Sequence, residues 1–182
     1  MNVIRTDIEG VFVIEPQVFD DERGYFFESF NAERFRALTG IEVTFVQDNE
    51  SHSKRGVLRG LHFQREPHAQ AKLVRVVQGR VLDVAVDIRP ESPTFGKYVM
   101  TELSGENHRQ MFIPKGFAHG YVVLEDNTVF QYKCDEYYHP EYEGGIAWND
   151  PQIGIEWVVP ESEIILSDKD RKHPILSELC KF

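Results

Sequence analysis

A series of short runs rich in Val, Ile, Phe and Tyr, each closed off by Gly, Pro, Asp or Asn, constrains this chain more than any other feature. Many short strands between turn residues make the pattern of a β-sandwich or barrel. The runs cover residues 10–14, 24–30, 42–48, 57–64, 72–78, 80–88, 97–103, 110–113, 120–124 and 127–135. One helix interrupts them: Asn31 suits an N-cap, AERFRAL supplies good helix formers, and Gly40 stands where a C-cap belongs. A second, shorter helix is expected after Pro174, in ILSELCKF. The stretch LVRVVQGRVLDVAVDI reads as a hairpin turning at Gln78 and Gly79, since glycine supplies the positive φ of a short turn.

With no internal repeat and no low-complexity linker, the 182 residues are expected to form a single all-β domain, 1–182, with short peripheral helices. Strand parity sorts residues 80–88 into two faces, Leu82, Val84 and Val86 on one, Val81, Asp83, Ala85 and Asp87 on the other. Acids beside Val and Ala suit either a polar cavity or a solvated outer face. From this strand alone the outer face is the favoured reading.

The net charge of −10 argues against extended binding to nucleic acid, because every phosphate contact needs local Lys or Arg and the global field repels a polyanion. No stretch approaches the roughly 18 apolar residues of a membrane span, and MNVIRTDIEG lacks the apolar centre of a signal peptide, so a cytoplasmic location is expected. Arg55, Arg59, Arg65, Lys72 and Arg75 lie close in sequence and suit either a small phosphorylated ligand or a solvated strand face. Cys134 and Cys180 show no CxxC spacing and suggest neither a disulfide framework nor a structural zinc site, so buried or incidental thiols are expected.

Two histidines stand in Gly-punctuated strand runs, His62 in GVLRGLHFQ and His119 in IPKGFAHG. A glycine beside a strand histidine marks a bulge or the close approach of a ligand. Lys72, His119 and Tyr132 sit on separate apolar runs that could converge inside one barrel. The segment PKGFAHG matches the PxGxxH core of the second cupin motif. A metal cupin would also carry HxH followed by a carboxylate, the facial set that suits iron or manganese. Here His62, Phe63 and Gln64 break that set, and a metal held by His62, His68 and His119 is the weaker alternative. Acid–base chemistry on a bound organic molecule is the better one.

Longer motifs extend the resemblance. FDDERGYFFES (19–29), TFVQDNES (44–51), GVLRGLHFQ (56–64), KLVRVVQGRVLDVAVDIRPESPTFG (72–96), FIPKGFAHGY (112–121), WNDP and GIEW (148–157) and LSDKD (166–170) run in order along nearly the whole chain. Together they resemble the dTDP-4-dehydrorhamnose 3,5-epimerase family. The resemblance implies a double-stranded β-helix, the cupin-type jelly roll, with no metal and no cofactor, acting on dTDP-4-dehydro-6-deoxy-D-glucose. The C4 carbonyl of that sugar acidifies the protons at C3 and C5. A base can remove each to give an enolate, and reprotonation from the other face inverts the carbon. Enzymes that invert one carbon or move the ketone, a metallocupin, and a non-catalytic binder of sugar nucleotides are the competing readings.

Site residues follow from the same matching. His62 is implied as the base, with Asp170 hydrogen-bonded to it, Tyr132 as the acid on the opposite face, and Lys72 as the charge that stabilises the enolate oxygen. Arg23, Glu28, Gln47, Asp48, Asn49, Arg59, His119, Glu143 and Lys169 resemble the family's substrate contacts, Tyr138 its thymine-stacking aromatic, and Asp83 the partner of His119. Regular parity sets Arg59 opposite His62, so both reach one ligand only if Gly60 bulges or the ligand spans a strand edge or subunit boundary. The resemblance also implies a homodimer in which the N-terminal section, about residues 1–50, is exchanged between subunits. An unpaired edge such as GYFFESF would invite that pairing.

Overall fold

The computed structural model describes residues 1–179, and its regular structure is mostly antiparallel strand. In chain order these are β1 (Asn2–Arg5), β2 (Phe12–Glu15), β3 (Phe19–Asp21), β4 (Gly24–Phe26), α1 (Ala32–Thr39), β5 (Gln47–Ser53), β6 (Leu58–Gln64), β7 (Lys72–Gln78), β8 (Arg80–Asp87), β9 (Tyr98–Ser104), β10 (Gln110–Ile113), β11 (Phe117–Val123), β12 (Thr128–Cys134), β13 (Glu143–Gly145) and α2 (Leu176–Leu179). One sheet runs β1-β2-β10-β7-β12-β5 and the other β13-β6-β11-β8-β9, while β3 and β4 form a separate hairpin. The all-β jelly roll expected from the sequence is therefore present. Cys180 and the end of ILSELCKF lie outside the described residues.

The main core fills the space between the sheets. Val74, Val76, Met111, Ile113 and Phe130 meet Val81, Ala85, Phe117, Tyr121 and Val123 there. On the far side of the six-stranded sheet, α1 lays Phe35 against Phe112, with ring centroids 5.1 Å apart. That helix begins as its sequence dictates: the Arg34 amide donates to Asn31 Oδ1 at 3.0 Å, and the Gly40 amide closes the last turn on Arg36 O. The strand β10 is buried on both faces, which explains its unbroken apolar run Met111, Phe112, Ile113.

Three expectations are corrected. β7 and β8 do not form a hairpin; β7 pairs with β10 and β12, and β8 with β9 and β11, so Gly79 turns the chain from one sheet into the other. Its φ of +79° and the Thr128 Cα 2.9 Å from where a Cβ would stand leave room only for glycine at that corner. The face of β8 carrying Asp83 and Asp87 is not solvated, since both acids are fully buried. Finally, residues 42–46 are irregular and the strand begins at Gln47, running through the polar QDNESHS; residues 27–30 likewise fall outside β4.

Candidate active site

The two sheets part at one end to leave a cavity of about 310 Å³ lined by both. From the six-stranded sheet come Gln47 and Asn49 of β5, Lys72 of β7, and Tyr132 and Cys134 of β12. From the five-stranded sheet come His62, Phe63 and Gln64 of β6 and Glu143 of β13, and Gln70 and Tyr138 complete the wall. Period-two alternation explains the polar sequence of β5: Gln47, Asn49, Ser51 and Ser53 turn inward while Asp48, Glu50 and His52 are exposed.

His62 Nε2 lies 2.5 Å from Asp170 Oδ1. A carboxylate there requires the proton on Nε2 and leaves the lone pair on Nδ1. Asp170 is itself oriented by Ser167, whose Oγ donates to Oδ2 at 2.8 Å. Burial alone would raise the Asp170 carboxyl, but the hydrogen bonds from His62 and Ser167 and the electrostatic attraction of the neighbouring imidazoles outweigh it, and its pKa is lowered. The Tyr132 phenol is shifted the other way, raised chiefly by burial, and so stays protonated at neutral pH. Lys72 is lowered by burial against the pull of Cys134, Asp83 and Glu143, and its Nζ sits 5.8 Å from the Tyr132 ring centroid.

Deeper in the barrel, His119 Nε2 faces both oxygens of Asp83 at 3.0 Å. Burial disfavours the charged form of each, lowering His119 and raising Asp83. At the rim, Tyr138 donates to Glu143 Oε2 at 2.7 Å and Lys169 pairs with the same carboxylate. That hydrogen bond, with burial second, pushes Tyr138 up to about 12.

Arg59 joins the site through a break in register. β11 pairs His119 with His62 but Tyr121 with Arg59, so β6 carries one extra residue between them and Arg59 turns to the same face as His62. Gly60 makes the bulge possible: its φ is +133°, and a Cβ would stand 2.6 Å from Gly120 Cα. Arg59 Nη2 then donates to Ser53 Oγ at 3.2 Å.

Three expected contacts lie elsewhere in the chain's own fold. Arg23 pairs with Asp21 on the β3–β4 hairpin with 85% of its side chain exposed. Glu28 accepts from Asn31 and pairs with Arg34. Asp48 faces outward and holds Lys133 at 2.9 Å. The metal set His62, His68 and His119 is not assembled either; His68 groups with Glu136 and His139, and His62 with Asp170 and His173. Among residues the sequence did not single out, His173 packs edge-on to His62 at 5.4 Å between centroids, and Gln64 ties the pocket floor to two loops. His173 lies outside the motifs and Gln64 at the end of GVLRGLHFQ with no role assigned there, and only the fold supplies their partners.

A family profile described as dTDP-4-dehydrorhamnose 3,5-epimerase matches residues 5–178. The dTDP-4-dehydrorhamnose 3,5-epimerase of Escherichia coli K12 is 57% identical over 182 residues, covering 100% of this chain and 97% of that protein. Among solved structures, the enzyme of the same name from Elizabethkingia anophelis superposes with a TM-score of 0.94 at 52% identity, over 98% of this chain and 97% of that one. The dTDP-6-deoxy-D-glucose-3,5-epimerase of Legionella pneumophila, solved in complex with dTDP-4-keto-L-rhamnose, gives 0.93 at 53% identity over 97% of this chain and 93% of that one. With a jelly roll, a polar cavity between its sheets and a match along almost its whole length, the chain belongs to the dTDP-4-dehydrorhamnose 3,5-epimerase family.

Proposed function

We propose that this 3,5-epimerase inverts C3 and C5 of dTDP-4-dehydro-6-deoxy-D-glucose by a two-wall proton exchange. His62 takes the proton on one side through Nδ1, while Asp170 holds the imidazolium that forms. Tyr132 returns a proton from the other side. The observation that carries this reading is the placement of a carboxylate-held imidazole and a protonated phenol on different sheets that line one cavity. Lys72, lowered by burial, is a strong donor to the enolate oxygen, and a fixed donor of this kind typically contributes about 3 kcal/mol to lowering a barrier.

Binding follows the cavity outward. His119, kept neutral by burial and braced by Asp83, contacts the substrate from the barrel interior, with Gln47 and Asn49 on the wall. Arg59 suits the diphosphate, since a guanidinium presents paired donors to phosphate oxygens. Tyr138, fixed by Glu143 and Lys169, offers the thymine a stacking face at the rim.

The functional unit in this reading is a homodimer whose N-terminal sections exchange. Arg23 supports it: the residue sits on a hairpin that exposes Phe19, Tyr25 and Phe26 and contacts none of the catalytic side chains of its own chain. Glu28 and Asp48 belong with it as contacts completed across the pair. A cytoplasmic location accompanies a nucleotide-sugar substrate, and no helix among the described residues is long and apolar enough to cross a membrane.

Solvent deuterium tests the chemistry. Incubation with the 4-keto sugar in heavy water should label both C3 and C5, and His62→Ala should lower the rate by about 10²–10⁴-fold. Label confined to one carbon would sink the double epimerisation.

A further inference from the structure

Outside the catalytic cavity, a second cluster of ligand-type side chains has no part in the reaction. We propose that His68, Glu136 and His139 form a binding site for a divalent transition-metal ion of the zinc class at the pocket rim. The proposal does not depend on the reading of the reaction above.

The backbone that carries these side chains is tied together before any ion arrives. His68 lies in the turn between β6 and β7, and Glu136 and His139 in the loop between β12 and β13. The Gln64 amide joins the two: its Nε2 donates to His68 O at 2.7 Å and to Tyr137 O at 3.1 Å, while its Oε1 accepts from the His139 amide at 2.6 Å. Gln70 Nε2 adds a bond to Glu136 O at 2.8 Å.

The side chains are spaced for an ion rather than for one another. His68 Nδ1 is 4.0 Å from Glu136 Oε2, and His139 Nε2 is 3.9 Å from Glu136 Oε1. Those distances are too long for hydrogen bonds. Atoms that share one zinc at about 2.0–2.2 Å stand roughly 3–4 Å apart, and the ligand atoms of this set already lie within 4.8 Å of one another. His68 Nδ1 is buried and has no hydrogen-bond partner. Two imidazoles and a carboxylate suit zinc, cobalt or nickel, with water in the remaining positions. Glu141 Oε1 lies 3.5 Å from the other nitrogen of His139, where an outer carboxylate fixes the ring's tautomer.

The rings of His68 and His139 are stacked at 3.7 Å with 22° between planes, so their in-plane lone pairs do not converge on one point as the rings stand. Binding turns one ring about its Cβ–Cγ bond to converge on the ion. Both side chains are between a quarter and a third exposed, which leaves space for that turn and a path for entry. The other cluster, His62, Asp170 and His173, is a poorer host because Asp170 Oδ1 is already engaged by His62 at 2.5 Å and Oδ2 by Ser167.

Chelator-treated full-length protein titrated with Co²⁺, followed by its visible absorption, and with Zn²⁺, followed by calorimetry, tests the site. One ion per chain is expected. His68→Ala and His139→Ala should each weaken it by at least about tenfold, and the nearly isosteric Glu136→Gln should do likewise with the fold intact. His173→Ala should leave the affinity unchanged. Absence of saturable binding, binding that survives the His68→Ala/His139→Ala double substitution, or binding lost in His173→Ala overturns the proposal.

Discussion

In the reaction proposed above, Asp170 fixes which nitrogen of His62 is basic, and Tyr132 fixes on which side the new hydrogen arrives. The two steps are therefore separable by substitution. Tyr132→Phe keeps the ring that packs against the core and removes the phenolic proton. His62 in that variant still withdraws a proton and hands it back to the face it came from. The expected result, read by mass and by NMR, is deuterium entering the sugar with its configuration retained, while inverted product forms about 10²–10⁴-fold more slowly. Loss of exchange together with inversion would show that Tyr132 is needed for the first step too. At this scale the sequence was informative where motifs reached. His62 with Asp170 and His119 with Asp83 are paired as the resemblance implied. Ser167 and Gln64 stood inside motifs with no role of their own, and His173 stood outside them all, because a polar side chain announces nothing until its partner is placed beside it.

Elements were legible where hydrophobic alternation is strong and obscure where a strand lines the pocket. β6, β7, β8 and β10 fall where the apolar runs predicted, whereas β5 is a polar strand whose inward Gln47 and Asn49 line the cavity rather than the core. The hairpin expected at Gly79 failed for a different reason: the turn chemistry is right, but pairing partners are chosen by residues tens of positions away. β8 misled in the same manner. Asp87 looks like a surface charge, yet it accepts from the Arg89 amide and guanidinium, from Ser92 and from Thr94 at 2.6–3.0 Å. Burial alone would raise this carboxyl; the donors overcome it and hold it well below its ordinary 3.8. A depressed folded value stabilises the protein above the unfolded value and loses that contribution as pH falls through the folded one. Asp87→Asn should therefore cost on the order of 2 kcal/mol, or about 5 °C in Tm, at pH 7. In thermal melts at successive pH values, the gap to the wild type should narrow below about pH 4. A gap independent of pH would remove the carboxylate's charge from the account.

The whole molecule was legible as all-β from its turn-bounded short strands, and as a jelly roll from the family resemblance. Its assembly as an exchanged homodimer was an expectation from the resemblance and from the GYFFESF edge, and Arg23, exposed on its hairpin and absent from the lining of its own chain's cavity, is where that expectation can be tested. If the hairpin serves a partner's cavity, two inactive variants should rescue each other. Mixing Arg23→Ala with His62→Ala under subunit exchange puts half the dimers in mixed form, each with one intact site, so about a quarter of wild-type activity should return. No recovery, with exchange verified by mass spectrometry, would place Arg23 in cis or outside the site. The division of the cavity between two sheets reaches further than catalysis. His62 rides on one sheet and Tyr132 on the other, and the distance between them is set by the aliphatic side chains that hold the sheets apart, Val74, Val76 and Ala85 among them. On the proposed mechanism, stereochemical fidelity is thus a mechanical property of the interior. Trimming or enlarging those residues offers a way to retune which isomer leaves the enzyme while every group that touches sugar stays as it is.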